Sequence, residues 1–189
     1  MNPKILSRLL IAGALLCAAG LASATTGSNT PVPQSDEAIA KQVRHEILMY
    51  PYYGIFDDVN YQVSNGSVQL SGAVTEPWKK DALGRSIQKL PGVASITNSL
   101  EVLPLSPMDN RLRWQLARAI YSDPALSRYA IQAIPPIHII VDNGHVTLEG
   151  VVNNDLEKEV AGMRASSAGL SFGPVLNHLR VENPAAKKG

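Results

Sequence analysis

The chain has a single cysteine, Cys17, and it lies inside an N-terminal apolar run. If that run is removed, no thiol is left, which excludes a disulfide, a thiolate nucleophile and a cysteine metal site in any redox compartment. An excess of one charge is lacking too, since 17 Lys and Arg stand against 16 Asp and Glu. A balance this even is not built for bulk attraction to nucleic acid, so any anion-binding surface has to be local. A Gly-x-Ser-x-Gly elbow and a phosphate-binding glycine loop are absent. The four histidines, His45, His138, His145 and His178, fall into no metal-ligand spacing. Only His145, after a turn, and His178, in the last strand, read as neighbours, and polar strand-face roles account for both. Asp57-Asp58 is a carboxylate pair, but it stands between an aromatic loop and a strand start, where Asp serves turns. The chain therefore reads as non-enzymatic, with no cofactor and no metal.

The N-terminus reads as an export signal. Lys4 and Arg8 precede the apolar run 9–16, and Ala22-Ser23-Ala24 gives the small-x-small pattern of a cleavage site after Ala24. The run is too short for a membrane span. A rival reading makes Cys17 a lipid anchor, but Leu16 stands where a lipoprotein signal wants a small residue. Cleavage after Ala24 takes the 17 basic residues to 15 against 16 acidic ones, a mature net charge of about −1. Residues 25–35 are rich in Thr, Ser and Pro and read as a flexible linker, and 183–189 as a disordered tail.

What the chain does have is a duplication. Asn65-Gly66-x-Val68-x-Leu70-x-Gly72-x-Val74 returns as Asn143-Gly144-x-Val146-x-Leu148-x-Gly150-x-Val152, 78 positions on. Upstream, Ile39, Val43, Ile47 and Pro51 match Leu112, Leu116, Ile120 and Pro124 at an offset of 73; downstream, Ile96, Asn98, Leu100 and Val102 match Val175, Asn177, Leu179 and Val181 at 79. The second copy thus gains five residues within 125–136.

Each copy begins with a helix whose apolar residues recur every four positions and which a proline stops. Alternation through Val59, Tyr61 and Val63, or Ile137, Ile139 and Val141, then gives a strand with one buried face. The Asn-Gly pair turns it into a second strand. Gly72 and Gly150 fall on the inward phase, where a missing side chain would let a helix backbone approach. Thr75 and Asn153 suit the N-cap of a second helix, and a last strand follows. The order α-β-β-α-β predicts an α+β fold of two modules, 36–104 and 107–182, each a small three-stranded sheet covered by two helices. Cores this small are marginal alone, so the modules are expected to pack together.

This order, the N-G-x-V-x-L-x-G-x-V core, the ending "LPGVASITNSLEV" and the duplication behind an export signal resemble the dual BON-domain proteins of the bacterial envelope, over residues 36–182. The second copy departs from the pattern, with "LSFGPVLNHLRV" in place of the usual Pro-Gly-Val turn. The resemblance implies a periplasmic protein that binds phospholipid and supports outer-membrane integrity or osmotic-stress tolerance, or a chaperone-like module that holds envelope protein clients. It implies no enzymatic activity.

One helix face is chemically distinctive. With Leu112 at the centre of the buried stripe, Arg111 lies at about −100°, Arg118 at about −120°, Trp114 at about −160° and Tyr121 at about 180°. Arginine clamps phosphate oxygens in pairs, and Trp and Tyr favour the boundary between water and lipid, so these four are the candidate contact for anionic phospholipid. The competing reading buries Trp114 and Tyr121 against the first module or the enlarged loop and leaves the arginines solvated. For protein clients the candidate surfaces are the apolar loops 50–56 and 129–137, which would otherwise fold back to cap the cores.

Overall fold

The computed structural model describes residues 35–169 and 171–184. The expected signal 1–24, the linker up to residue 34, and 185–189 lie outside the described residues. Ser35 and Asn183, expected in the linker and the tail, both belong to the folded part. Ser35 caps the first helix by accepting from Ala38 N (3.3 Å), and Asn183 N donates to Asn153 O (2.9 Å).

The first module runs α1 (Asp36–Met49), β1 (Asp58–Ser64), β2 (Ser67–Val74), α2 (Pro77–Gln88), β3 (Ser95–Asn98) and β4 (Glu101–Val102). The second runs α3 (Pro107–Tyr121), a short helix α4 (Ser127–Ala130), β5 (Ile137–Asp142), β6 (His145–Val152), α5 (Asp155–Ala168), β7 (Leu176–Asn177) and β8 (Arg180–Val181). The five additional residues therefore make room for α4. In each sheet the hairpin strands pair antiparallel, and the last strand lies parallel to β2 or β6. That last strand comes in two short pieces. The first piece ends at an asparagine still paired to the central strand: Asn98, opposite Leu70, donates to Lys80 O (2.8 Å) and accepts from Leu100 N (3.3 Å), and Asn177, opposite Leu148, does the same with Lys158 O (2.7 Å) and Leu179 N (3.3 Å). Each asparagine ties its sheet to the covering helix and turns Leu100 or Leu179 into the core.

Two apolar clusters form on the helix-covered faces, one around Ile39, Val43, Leu70 and Ile87, the other around Leu116, Ile120, Ile139 and Leu148. Each such side chain withdrawn from water stabilises the fold by roughly 1.5–3 kcal/mol. The hairpin turns use left-handed backbone at Asn65 (φ 50°) and Asn143 (φ 49°), as the Asn-Gly pairs require. An aspartate on each first helix holds them: Asp36 accepts from Asn65 N (2.7 Å) and Gly66 N (2.8 Å), and Asp109 accepts from Asn143 N (3.1 Å) and Gly144 N (2.9 Å).

Two local expectations need correction. The second helices begin one residue later than expected: Asn154 caps one by accepting from Glu157 N (3.0 Å), and Glu76 stands at the N-cap position of the other without a side-chain cap. Thr75 instead gives its amide (2.8 Å) and hydroxyl (2.9 Å) to buried Asp57, and Asn153 N donates to the Tyr129 hydroxyl (2.9 Å). Gly72 and Gly150 do admit a close neighbour, but it is not a helix. At φ 110° and 112° they face the chain entering the first strand of the hairpin, and a Cβ there would overlap Asp58 O or Pro136 O.

The two modules share one compact unit. The first module reaches across with its aromatic loop. Ile55 and Phe56 pack on the second core, Ile139 N donates to Ile55 O (2.7 Å), and the Tyr53 ring lies 5.4 Å from that of His138.

Candidate functional site

Helix α3 starts at an N-cap serine, Ser106, with Pro107 in its first turn, and buries Leu112, Leu116 and Ile120. On its outer side Arg111, Trp114 and Arg118 are exposed, Trp114 to 65 %. Neither Arg111 nor Arg118 has an ion-pair partner among the described residues. Trp114 is not free of the first module: its ring meets Phe56 edge-on at 5.0 Å. The contact fixes the indole's orientation while leaving most of its surface open.

Tyr121, the fourth member of the expected set, is placed differently. Its ring packs on the second core, and its hydroxyl donates to Ile137 O (2.5 Å). Burial pushes the phenol well above the usual tyrosine range despite the hydrogen bond. The helical angle put Tyr121 opposite the core, but at the last turn of α3 the segment leading into β5 covers that side.

Arg113 carries a role that the helical wheel did not reveal. It is almost fully buried, donating to Asn110 Oδ1 (2.6 Å) and Val141 O (2.7 Å), and so ties α3 to the end of β5. Burial lowers its proton affinity, and the nearby Asp109 opposes that shift. The three arginines of one helix thus divide into a stitch and two exposed cations.

Two clefts of about 550 Å³ each open beside the exposed arginines. One runs between α3 and the segment after α5, bounded by Met108, Leu112 and Phe172; the other lies toward Trp114 and Arg118. Arg111, Gln115 and Ala168 line both.

Elsewhere, polar groups are taken up by structure. Asp57 is buried and receives Gly54 N (3.1 Å), Thr75 and Lys79 Nζ (2.7 Å), which leaves no free carboxylate for chemistry. In the second module the charges are reversed: Glu157, at the position of Lys79, pairs with Arg128 and accepts from the Tyr129 hydroxyl (2.6 Å) and Asn153 N (3.0 Å). Burial alone would raise the Glu157 carboxyl, but these hydrogen bonds win and hold it below the usual range. His178 Nδ1 lies 2.8 Å from Glu149, while His138 is buried at the module seam. Among the described residues no three His, Asp or Glu side chains gather so as to hold a metal ion.

The client-binding loops are largely closed. Tyr50, Tyr53, Ile55 and Phe56 pack on the cores and Tyr129 and Ile137 are buried; of the large apolar side chains in these loops Tyr52 (62 % exposed) and Ile131 (87 %) stand out, beside exposed Pro51, Ala130, Gln132 and Ala133. Both loops cap the cores.

Comparison with known proteins places the geometry in a family. Residues 35–104 and 111–183 each match the family model of the BON domain. No curated protein matches the sequence. Two solved structures resemble it weakly. One, of CdsD, a structural protein of the type III secretion system of Chlamydia trachomatis, is 16 % identical over 79 % of this chain and 94 % of that one, with a TM-score of 0.28. The other, of the CdsD C-terminal domain, is 15 % identical over 79 % and 99 %, also at 0.28.

Proposed function

The chain belongs to the BON-domain family, with two copies in tandem, and from that premise we propose that it is a non-enzymatic cell-envelope protein that binds anionic phospholipid through α3. BON domains are generally associated with membrane and phospholipid interaction. The observation that carries the reading to one surface is an indole, 65 % exposed, between two arginines that have no ion-pair partner among the described residues. The guanidinium groups suit headgroup phosphates, and the indole suits the glycerol region below them. Among the described residues no helix is long and apolar enough to cross a membrane, so this contact is read as lying on the bilayer surface.

Tyr121 supports the surface from within by fixing the end of α3. The first copy offers a weaker surface, since Ala38, Lys41 and His45 take the places of Arg111, Trp114 and Arg118, and Lys41 is paired with Glu37 (2.8 Å). Periplasmic location follows from the export signal read in residues 1–24, and support of outer-membrane integrity or osmotic-stress tolerance is the role that such binding would serve. Holding protein clients has less support, because the loops that would do it cover the cores.

Co-sedimentation with vesicles tests the reading. The double variant Arg111→Glu/Arg118→Glu is expected to weaken pelleting with phosphatidylglycerol vesicles by at least about tenfold, since each basic group near an anionic surface contributes about 1 kcal/mol. Vesicles of phosphatidylcholine alone should pellet neither protein. Equal pelleting of variant and parent with phosphatidylglycerol would exclude α3 as the contact.

A further inference from the structure

The departure of the second copy from its own repeat, "LSFGP", is the strongest unassigned feature beside the α3 surface. In the first copy, Ala94 N donates to Gly66 O (2.8 Å); in the second, Phe172 N donates to Gly144 O (2.9 Å). Phe172 therefore occupies the place of Ala94, on the same hydrogen bond at the hairpin turn. A large apolar ring stands where the first copy has a methyl group, and 69 % of it is exposed. Burying the ring is not its purpose. It forms one wall of the cleft whose other wall is α3, with Met108, also 69 % exposed, on the α3 side.

The cleft has the composition of a site for an amphiphile. Its floor is Leu112 and Ala168, and Arg111 stands where the cleft meets the one beside Trp114. Asp109 also borders it but is occupied with Asn143 N and Gly144 N and is only 3 % exposed. The charge offered to a ligand is thus the Arg111 guanidinium, beside an apolar lining of Met108, Leu112, Ala168 and Phe172. At about 550 Å³ the cleft falls in the range of small-molecule sites, roughly 300–1,000 Å³.

We infer that the cleft between α3 and Phe172 takes one acyl chain of an anionic phospholipid while Arg111 holds its phosphate. The inference rests on the phospholipid reading of α3 and goes beyond it: the second module would seat a single lipid chain instead of only lying on headgroups. Charge complementarity selects the occupant, because an uncharged hydrocarbon would leave Arg111 unanswered and a free phosphate would leave the apolar walls in water.

Calorimetric titration with monodisperse lauroyl lysophosphatidylglycerol, below its micelle concentration, tests this on the full chain. Saturable binding with a negative heat-capacity change is expected. Monolaurin, which has the chain without the phosphate, and glycerol phosphate, which has the phosphate without the chain, should each bind at least tenfold more weakly. Phe172→Ala and Ser167→Phe alter exposed positions of the cleft that lie off α3 and away from the core. The first removes a wall and the second fills the cleft, so each should weaken lysolipid binding at least fivefold while vesicle pelleting changes less than twofold. Absence of lysolipid binding by a protein that still pellets with vesicles overturns the cleft and spares the surface reading. So does unchanged lysolipid affinity in both variants. Loss of vesicle binding by the parent protein would remove both.

Discussion

Single side chains decide how the duplicated fold is held. Glu157 is the clearest case, a carboxylate kept ionised by Tyr129, Asn153 N and Arg128. Its folded-state proton affinity lies below the ordinary value, 4.5, so the stability it contributes is fully present above that pH and is lost as pH falls through the depressed folded value. Denaturant melts from pH 7 to pH 3 should show this loss in the parent protein and a flatter profile in Glu157→Gln, which is also less stable at neutral pH. A parallel slope in both would mean that the acid sensitivity comes from elsewhere. Gly150 is a second case, with positive φ and Pro136 O where a Cβ would stand. Gly150→Ala should destabilise by more than ~1 kcal/mol, read from the urea midpoint. Asp109→Ala strips the hairpin turn of its acceptor, including for the buried Gly144 N, and should cost about 1–3 kcal/mol by the same measurement.

At the scale of elements, the aromatic loop 50–56 does the joining. It closes the first core with Tyr50 and Tyr53, then spends Ile55 and Phe56 on the second. Phe56→Ala should cost about 2 kcal/mol, less than a fully buried phenylalanine, and should split or broaden a single calorimetric unfolding transition. A sharp transition that merely moves down in temperature would argue that other contacts couple the modules. The helices, hairpins and both apolar stripes were legible because period and turn chemistry are local: Ile39, Val43 and Ile47 announce their face without knowledge of a partner. What lay beyond reach depended on pairing across distance. Asp36 and Asp109 look like ordinary first-turn acids until the turns they hold are brought beside them. For Trp114 the two readings of the helix face each hold in part: it is outward-facing and open, yet it touches the first module through Phe56. For Tyr121 the helical wheel alone pointed outward, and the competing reading, burial beside the enlarged loop, lies nearer to what is found, because the segment into β5 returns over the end of α3. The exchange of Asp57 and Lys79 for Arg128 and Glu157 left a trace at aligned positions 79 and 157, where a lysine faces a glutamate. Arg113 left none, since charge argues against the burial that its two hydrogen bonds permit.

Across the whole molecule the two copies differ in the side chains they expose. Both keep the sheet, the aspartate clamp and the asparagine tie, but only the second carries the arginines, the indole and the exposed phenylalanine around one helix. The first copy lends it a surface on which Trp114 is held. Contact of this helix with anionic lipid is read from the fluorescence of Trp114 in a Trp78→Phe protein, where it is the one indole left of two. Titrated with phosphatidylglycerol vesicles carrying headgroup-level nitroxide, Trp114 should shift to the blue and be quenched, with neither change on phosphatidylcholine alone. Vesicles that pellet the protein while the Trp114 emission stays unshifted and unquenched would show that another surface makes the contact.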